Sequence, residues 1–109
     1  MRTLLLTLLL AAVAAAPAAA AERTIRIGDN WYVRAGEPAT VEVAKGTVVR
    51  WRWTGRNQHD VAVQSGPRSF QSEIKASGTY RRTLRRSGRY RIACSIHGPA
   101  MRMTLRVKA

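Results

Sequence analysis

The sequence is short of acid. Six Asp and Glu stand against nineteen Lys and Arg in 109 residues, a formal charge of +13. It has one cysteine, two histidines and one phenylalanine. A length of 109 residues excludes a multidomain enzyme and leaves room for one small domain with a modest core. Beyond residue 21 there is no long apolar run, which excludes a polytopic membrane protein. No stretch of ten residues carries a convincing helical period, and neither a linker nor an internal repeat interrupts the chain. A lone cysteine cannot form an internal disulfide.

What is present begins with a leader. Met1 and Arg2 give a positive start, Leu4 to Ala16 an apolar stretch, and Ala19, Ala20 and Ala21 before Glu22 a small-residue cleavage pattern. This predicts a secretory signal peptide over residues 1–21 and a mature domain over 22–109 that works outside the cytoplasm, in the periplasm. The competing reading is an uncleaved N-terminal anchor, which a run of alanines serves poorly. No cysteine lies near the leader to carry a lipoprotein anchor. An exported domain with one thiol must protect Cys94 or use it. A buried, inert cysteine is the plain alternative.

From Thr24 onward, glycines at 28, 36, 46, 55, 66, 78, 88 and 98 punctuate short β-branched or alternating segments. The expected strands are Thr24–Ile27, Trp31–Arg34, Thr40–Val43, Thr47–Trp53, Asp60–Gln64, Gly78–Leu84, Arg89–Cys94 and Met101–Val107, with tight turns at Lys45-Gly46 and Ser87-Gly88. Seven or eight short strands at roughly ten-residue spacing predict an all-β, two-sheet Greek-key sandwich. Trp51 and Trp53 share a parity and read as core, although an electron-relay role for either is conceivable.

The most informative segment runs from Tyr90 to Met101. Alternation turns Tyr90, Ile92 and Cys94 to one face, so the thiol points inward at a strand end. His97 follows in a turn stiffened by Gly98-Pro99, and Met101 opens the alternating run Met101, Met103, Leu105, Val107. Thiolate, imidazole and thioether on one loop suit copper or zinc better than magnesium or calcium, and His₂Cys with a weak axial Met is the donor set of a blue-copper electron-transfer centre. The second imidazole has one source, His59, between two expected strands. It reaches Cys94 and His97 if both loops lie at the same pole of the sandwich.

These residues resemble a small cupredoxin of the plastocyanin and amicyanin kind. The resemblance spans the mature domain, from Thr24-Ile25-Arg26-Ile27 through Gly46 to Trp53, His59-Asp60-Val61, Gly88-Arg89-Tyr90 and the Cys94 to Met101 loop. Its late motif, G-x-Y-x-x-x-C-x-x-H with a following Met, is fairly specific. The resemblance implies one type 1 copper ion with His59, Cys94 and His97 in the equatorial plane and a methionine on the axis. Met101 is favoured for that place, and Met103, of the same parity, is the alternative. Asp60 departs from the family, which often carries Asn there. Its carboxylate is expected either to disfavour the reduced site or to point to solvent.

The function so implied is single-electron transfer between redox partners, without transformation of a substrate. His97 is expected nearest the surface, with Gly98-Pro99-Ala100 as a flat docking patch around it. Arg2 is one of the nineteen cations, so the mature domain keeps eighteen against six acids, a formal +12. That field steers an acidic partner such as a cytochrome, oxidase or dehydrogenase. The plain alternative is an Arg-biased solvated surface. Export argues against nucleic acid, an anionic membrane offers at most weak contact, and the domain reads as a monomer. The second functional reading is a periplasmic copper-binding protein for storage or delivery. An enzyme is disfavoured, because a lone type 1 centre lacks further His-rich sites and one cysteine excludes a two-cysteine binuclear centre. Zinc is an adventitious occupant of the same ligands.

Overall fold

The computed structural model describes residues 3–5, 7, 20–33 and 39–109. Among the described residues eight strands form: β1 (Glu22–Gly28), β2 (Trp31–Tyr32), β3 (Thr40–Ala44), β4 (Thr47–Trp53), β5 (Ala62–Ser65), β6 (Gly78–Leu84), β7 (Gly88–Cys94) and β8 (Gly98–Lys108). They make two four-stranded sheets, ordered β2-β1-β4-β6 and β3-β8-β7-β5. From β2 to β7 the chain alternates between the sheets, the crossing pattern of the expected Greek-key sandwich.

The alternating strands β3, β4 and β8 were legible because one face is buried. In β4, Thr47, Val49, Trp51 and Trp53 turn inward while Arg52 is exposed. In β8, Met101, Met103, Leu105 and Val107 do the same. The parallel register Ile25↔Trp51 and Ile27↔Trp53, with Tyr80 opposite Trp51, stacks the core in rungs. Phe70, outside the strands, packs against Trp51 with ring centroids 5.9 Å apart and against Tyr90 at 6.0 Å. Both tryptophans are therefore core. Gly46 turns β3 into β4 with φ of 91°, where an L side chain is strained.

At the far pole the bounds shift by a residue or two, with β1 starting at Glu22 and β8 running to Lys108, and further differences lie at the pole that carries the histidines. β5 begins at Ala62 rather than Asp60, because Asp60 is drawn into a side-chain network and Val61 bonds to Ser72. β8 begins at Gly98 rather than Met101, since Gly98 pairs with Cys94 across a register irregularity. The second strand stops at Tyr32, and Arg34 lies outside the described residues, as does most of the 1–21 leader.

The outward faces are cationic. Arg26 lies beside Arg52, Arg50 beside Arg81, and Arg89 beside Arg106. Of these six, only Arg106 meets a carboxylate among the described residues, Glu42 at 2.9 Å. Like charges directly opposite each other on a sheet repel, and with the other five of these arginines meeting no carboxylate among the described residues both faces project a positive field.

Candidate metal centre

Two loops meet at one pole of the sandwich. The first leaves β4 after Trp53 and carries His59. Its backbone is fixed from both sides, with His59 N–H donating to the Lys75 carbonyl at 3.0 Å, Lys75 N–H donating back at 3.1 Å and the Trp53 indole N–H donating to the His59 carbonyl at 3.2 Å. The second loop joins β7 to β8 and carries Cys94 at the strand end and His97 in the turn.

The donor atoms of His59, Cys94 and His97 all lie within 4.8 Å of one another. Cys94 is fully buried and His59 is 1% exposed, while His97 is half-buried, the outermost of the three as expected. The two imidazoles are 4.9 Å apart at their centroids, and Cys94 Sγ is 3.5 Å from His97 Nδ1. Among the described residues both ring nitrogens of His59 are buried without a hydrogen-bond partner. Unsatisfied polar atoms at such depth are costly unless each gains a partner. A cation shared with a thiolate and a second imidazole completes one of the two nitrogens, and this soft set suits copper.

Met101 and Met103 are both buried, at 1% and 2% exposure, and their places in the ladder differ. Met103 pairs with Ile92, two residues before Cys94. Met101 lies beyond the last regular rung, Ala93↔Arg102, on the side of the metal-binding loop.

Asp60 does not point to solvent. It is completely buried and points at the cysteine loop, where Oδ1 accepts from Ser95 N–H at 2.7 Å and Oδ2 accepts from Ser95 Oγ at 2.6 Å and Gln71 Nε2 at 3.1 Å. The residue after His59 thus grips the residue after Cys94, tying the two ligand loops together. Burial alone pushes the Asp60 carboxyl up, but the hydrogen bonds from Ser95, Gln71 and Cys94 outweigh it and hold it below its ordinary value. Tyr32 Oη donates to the Asp60 carbonyl at 2.5 Å, and burial raises its own pKa far above the usual phenol value. Sequence reasoning noticed Asp60 without its partners. Ser95, Gln71 and Tyr32 carry no motif, and only the fold brings them there.

No family model and no curated protein matches the sequence. Solved structures do. The chain is similar to an oxidized proline-to-glycine mutant of amicyanin, with TM-score 0.62 and 25% identity over 90% of this chain and 88% of that one. A second amicyanin mutant, in its reduced Cu(I) form at pH 4, gives TM-score 0.64 and 23% identity over 84% and 87% of the two chains. The fold is that of the cupredoxins. A Cu-containing nitrite reductase from Thermus scotoductus SA-01 also matches, with TM-score 0.65 and 26% identity over 79% of this chain. This chain spans only 22% of that enzyme's chain. On this fold the chain has a His-Cys-His cluster able to hold one copper ion.

The surface around the cluster is partly apolar. Ile96, which precedes His97, is 49% exposed, and Ile74, which precedes the Lys75 that pairs with His59, is 52% exposed. Pro99 and Ala100 are exposed at the start of β8. Beyond the leader, Ile74 and Ile96 are the exposed large hydrophobic residues among those described.

Proposed function

We propose that this cupredoxin is an exported, periplasmic electron carrier with a mononuclear type 1 copper site, formed by a domain over 22–109 once the 1–21 leader is removed. The observation that carries the reading is the convergence of three soft donors, two of them buried, from loops 35 residues apart in the chain. His59, Cys94 and His97 would hold the metal, and Met101 would supply a thioether beside them. Copper in such a site supplies reversible one-electron cycling between Cu(I) and Cu(II). The chain's own part is to keep the donors in one arrangement. The Lys75 and Trp53 hydrogen bonds fix His59, and Asp60 fixes the loop of Cys94. Little then has to move when the charge changes.

The half-buried imidazole of His97 is the exit to the surface, with exposed Ile96, Pro99 and Ala100 close by in the chain, and this apolar stretch seats a partner. The surplus of arginine selects an acidic one and speeds encounter. No enzyme activity is assigned. The whole-length likeness is to amicyanins described in oxidized and reduced Cu(I) forms, whereas the nitrite reductase shares only one part of its chain.

Stopped-flow mixing of the Cu(II) protein with a reduced, acidic c-type cytochrome tests this reading. Second-order electron transfer is expected, slowing by at least about tenfold as added salt shortens the Debye length from about 30 Å to about 8 Å. Absence of exchange, together with rapid loss of copper to a chelator, would favour storage or delivery instead. Replacing Met101 by Leu is expected to shift the reduction potential while copper stays bound, and replacing Met103 by Leu to leave the potential where it was. Voltammetry of the two variants separates them, and the reverse pattern would move the axial assignment to Met103.

A further inference from the structure

His59 has a second nitrogen that the metal cannot use. Its Nε2 lies 3.5 Å from Oδ1 of Asp29, beyond the end of β1, longer than the usual hydrogen-bond range of about 2.7–3.2 Å but within reach of a small adjustment. No other hydrogen-bond partner stands by this imidazole among the described residues, although His59 is 99% covered.

Asp29 is held in place for this contact. Its Oδ1 accepts from the backbone N–H of Arg56 at 2.9 Å and of Asn57 at 2.8 Å, both in the loop that leads to His59. Gly55 makes room for the carboxylate, since a Cβ there would run into Asp29 Oδ1, and would lie 2.6 Å from Asp29 Cγ. Asn30 completes the turn with φ of 69°, a conformation that asparagine tolerates better than most residues. One oxygen therefore receives two backbone donors and faces the imidazole, from a different segment than any of the ligands.

We propose that Asp29 is a positioning residue for the metal site: its carboxylate takes the Nε2–H of His59, which leaves Nδ1 for the cation shared with Cys94 and His97. The inference rests on the copper reading above. A carboxylate behind a ligating imidazole fixes its tautomer and ring orientation and strengthens it as a donor, and loss of such a partner typically costs about 10–100-fold in metal affinity. The added negative charge also favours Cu(II) over Cu(I).

The test uses the copper-loaded full domain and three variants. In the Cu(I) protein, ¹H–¹⁵N spectra should show His59 with Nε2 protonated and that proton slow to exchange. Asp29→Ala should remove the slow resonance, weaken Cu(II) binding by about 10–100-fold and raise the reduction potential. Asp29→Asn keeps an acceptor oxygen, so it should retain the fold and the resonance yet still raise the potential. It reads the charge effect even if the alanine variant fails to fold. Glu42→Gln removes the same charge from the outer face of β3 and should change none of these. Folded Asp29→Ala and Asp29→Asn proteins that keep wild-type copper affinity, potential and His59 resonance would overturn the role of Asp29. A wild-type protein that binds no copper would instead remove the site reading, and the Nε2–H signal of the metal-free wild type and variants would still decide whether Asp29 meets His59.

Discussion

Replacing Cys94 by alanine should abolish the intense visible absorption of the copper-loaded protein altogether. The sulfur is the one donor that makes the site a blue-copper set, since two imidazoles and a thioether alone give an ordinary copper complex. The variant should still fold. Cys94 is packed as a small apolar side chain among Ile92, Met101 and their neighbours, and deleting one buried heavy atom costs roughly 1 kcal/mol. Metal-free wild type and variant should therefore melt within a few degrees of each other, while their Cu(II) spectra differ completely. A variant that kept the blue colour would show that the sulfur is not a ligand.

Asp60→Ala should be the most disruptive polar substitution in the molecule. It removes the acceptor for Ser95 N–H, Ser95 Oγ and Gln71 Nε2 at once. Asp60 has no exposure, whereas Ser95 and Gln71 are exposed and regain water when the carboxylate is gone, so the loss expected in chemical denaturation of the metal-free protein is that of hydrogen bonds to a charged acceptor, about 1–3 kcal/mol. The second effect is on the site itself. With the tie between the loops cut, Cys94 and His97 lose their register against His59, and copper affinity should fall together with stability. Asp60→Asn keeps two acceptor lone pairs and restores part of both. Equal stability of wild type and Asp60→Ala would mean that the loops are held by something else.

The contrast between Cys94 and Asp60 also shows what could be read without coordinates. Alternation along Thr47–Trp53 and Met101–Val107 gave the strands because each buries one face, and a period of two is visible in any single strand. The chemistry of Cys94 and His97 was legible because both sit on one short segment, and His59 because the chain has no other histidine. Asp60 bonds across 35 residues to Ser95, and Asp29 across 28 residues to Asn57. Neither contact leaves a local pattern, since a carboxylate that caps a distant loop looks in sequence like a carboxylate in water. The start of β8 at Gly98 escaped for the same reason: it depends on the pairing with Cys94 rather than on side-chain alternation.

The positive surface and the apolar patch belong to one scheme. The arginine rows act at long range and lose effect in salt, whereas Ile96 and Ile74 act only on contact. Replacing Ile96 by Ser should therefore slow electron exchange at every ionic strength without altering its salt slope, a result that stopped-flow kinetics reads directly.

The central claim is that His59, Cys94 and His97 hold one copper ion in a trigonal, thiolate-bound site. Electron paramagnetic resonance of the protein, titrated with one equivalent of Cu(II), tests it most directly. An unusually small copper hyperfine splitting, with intense blue colour at one equivalent, is the predicted result. A pale sample with the large splitting of a square-planar complex would contradict it.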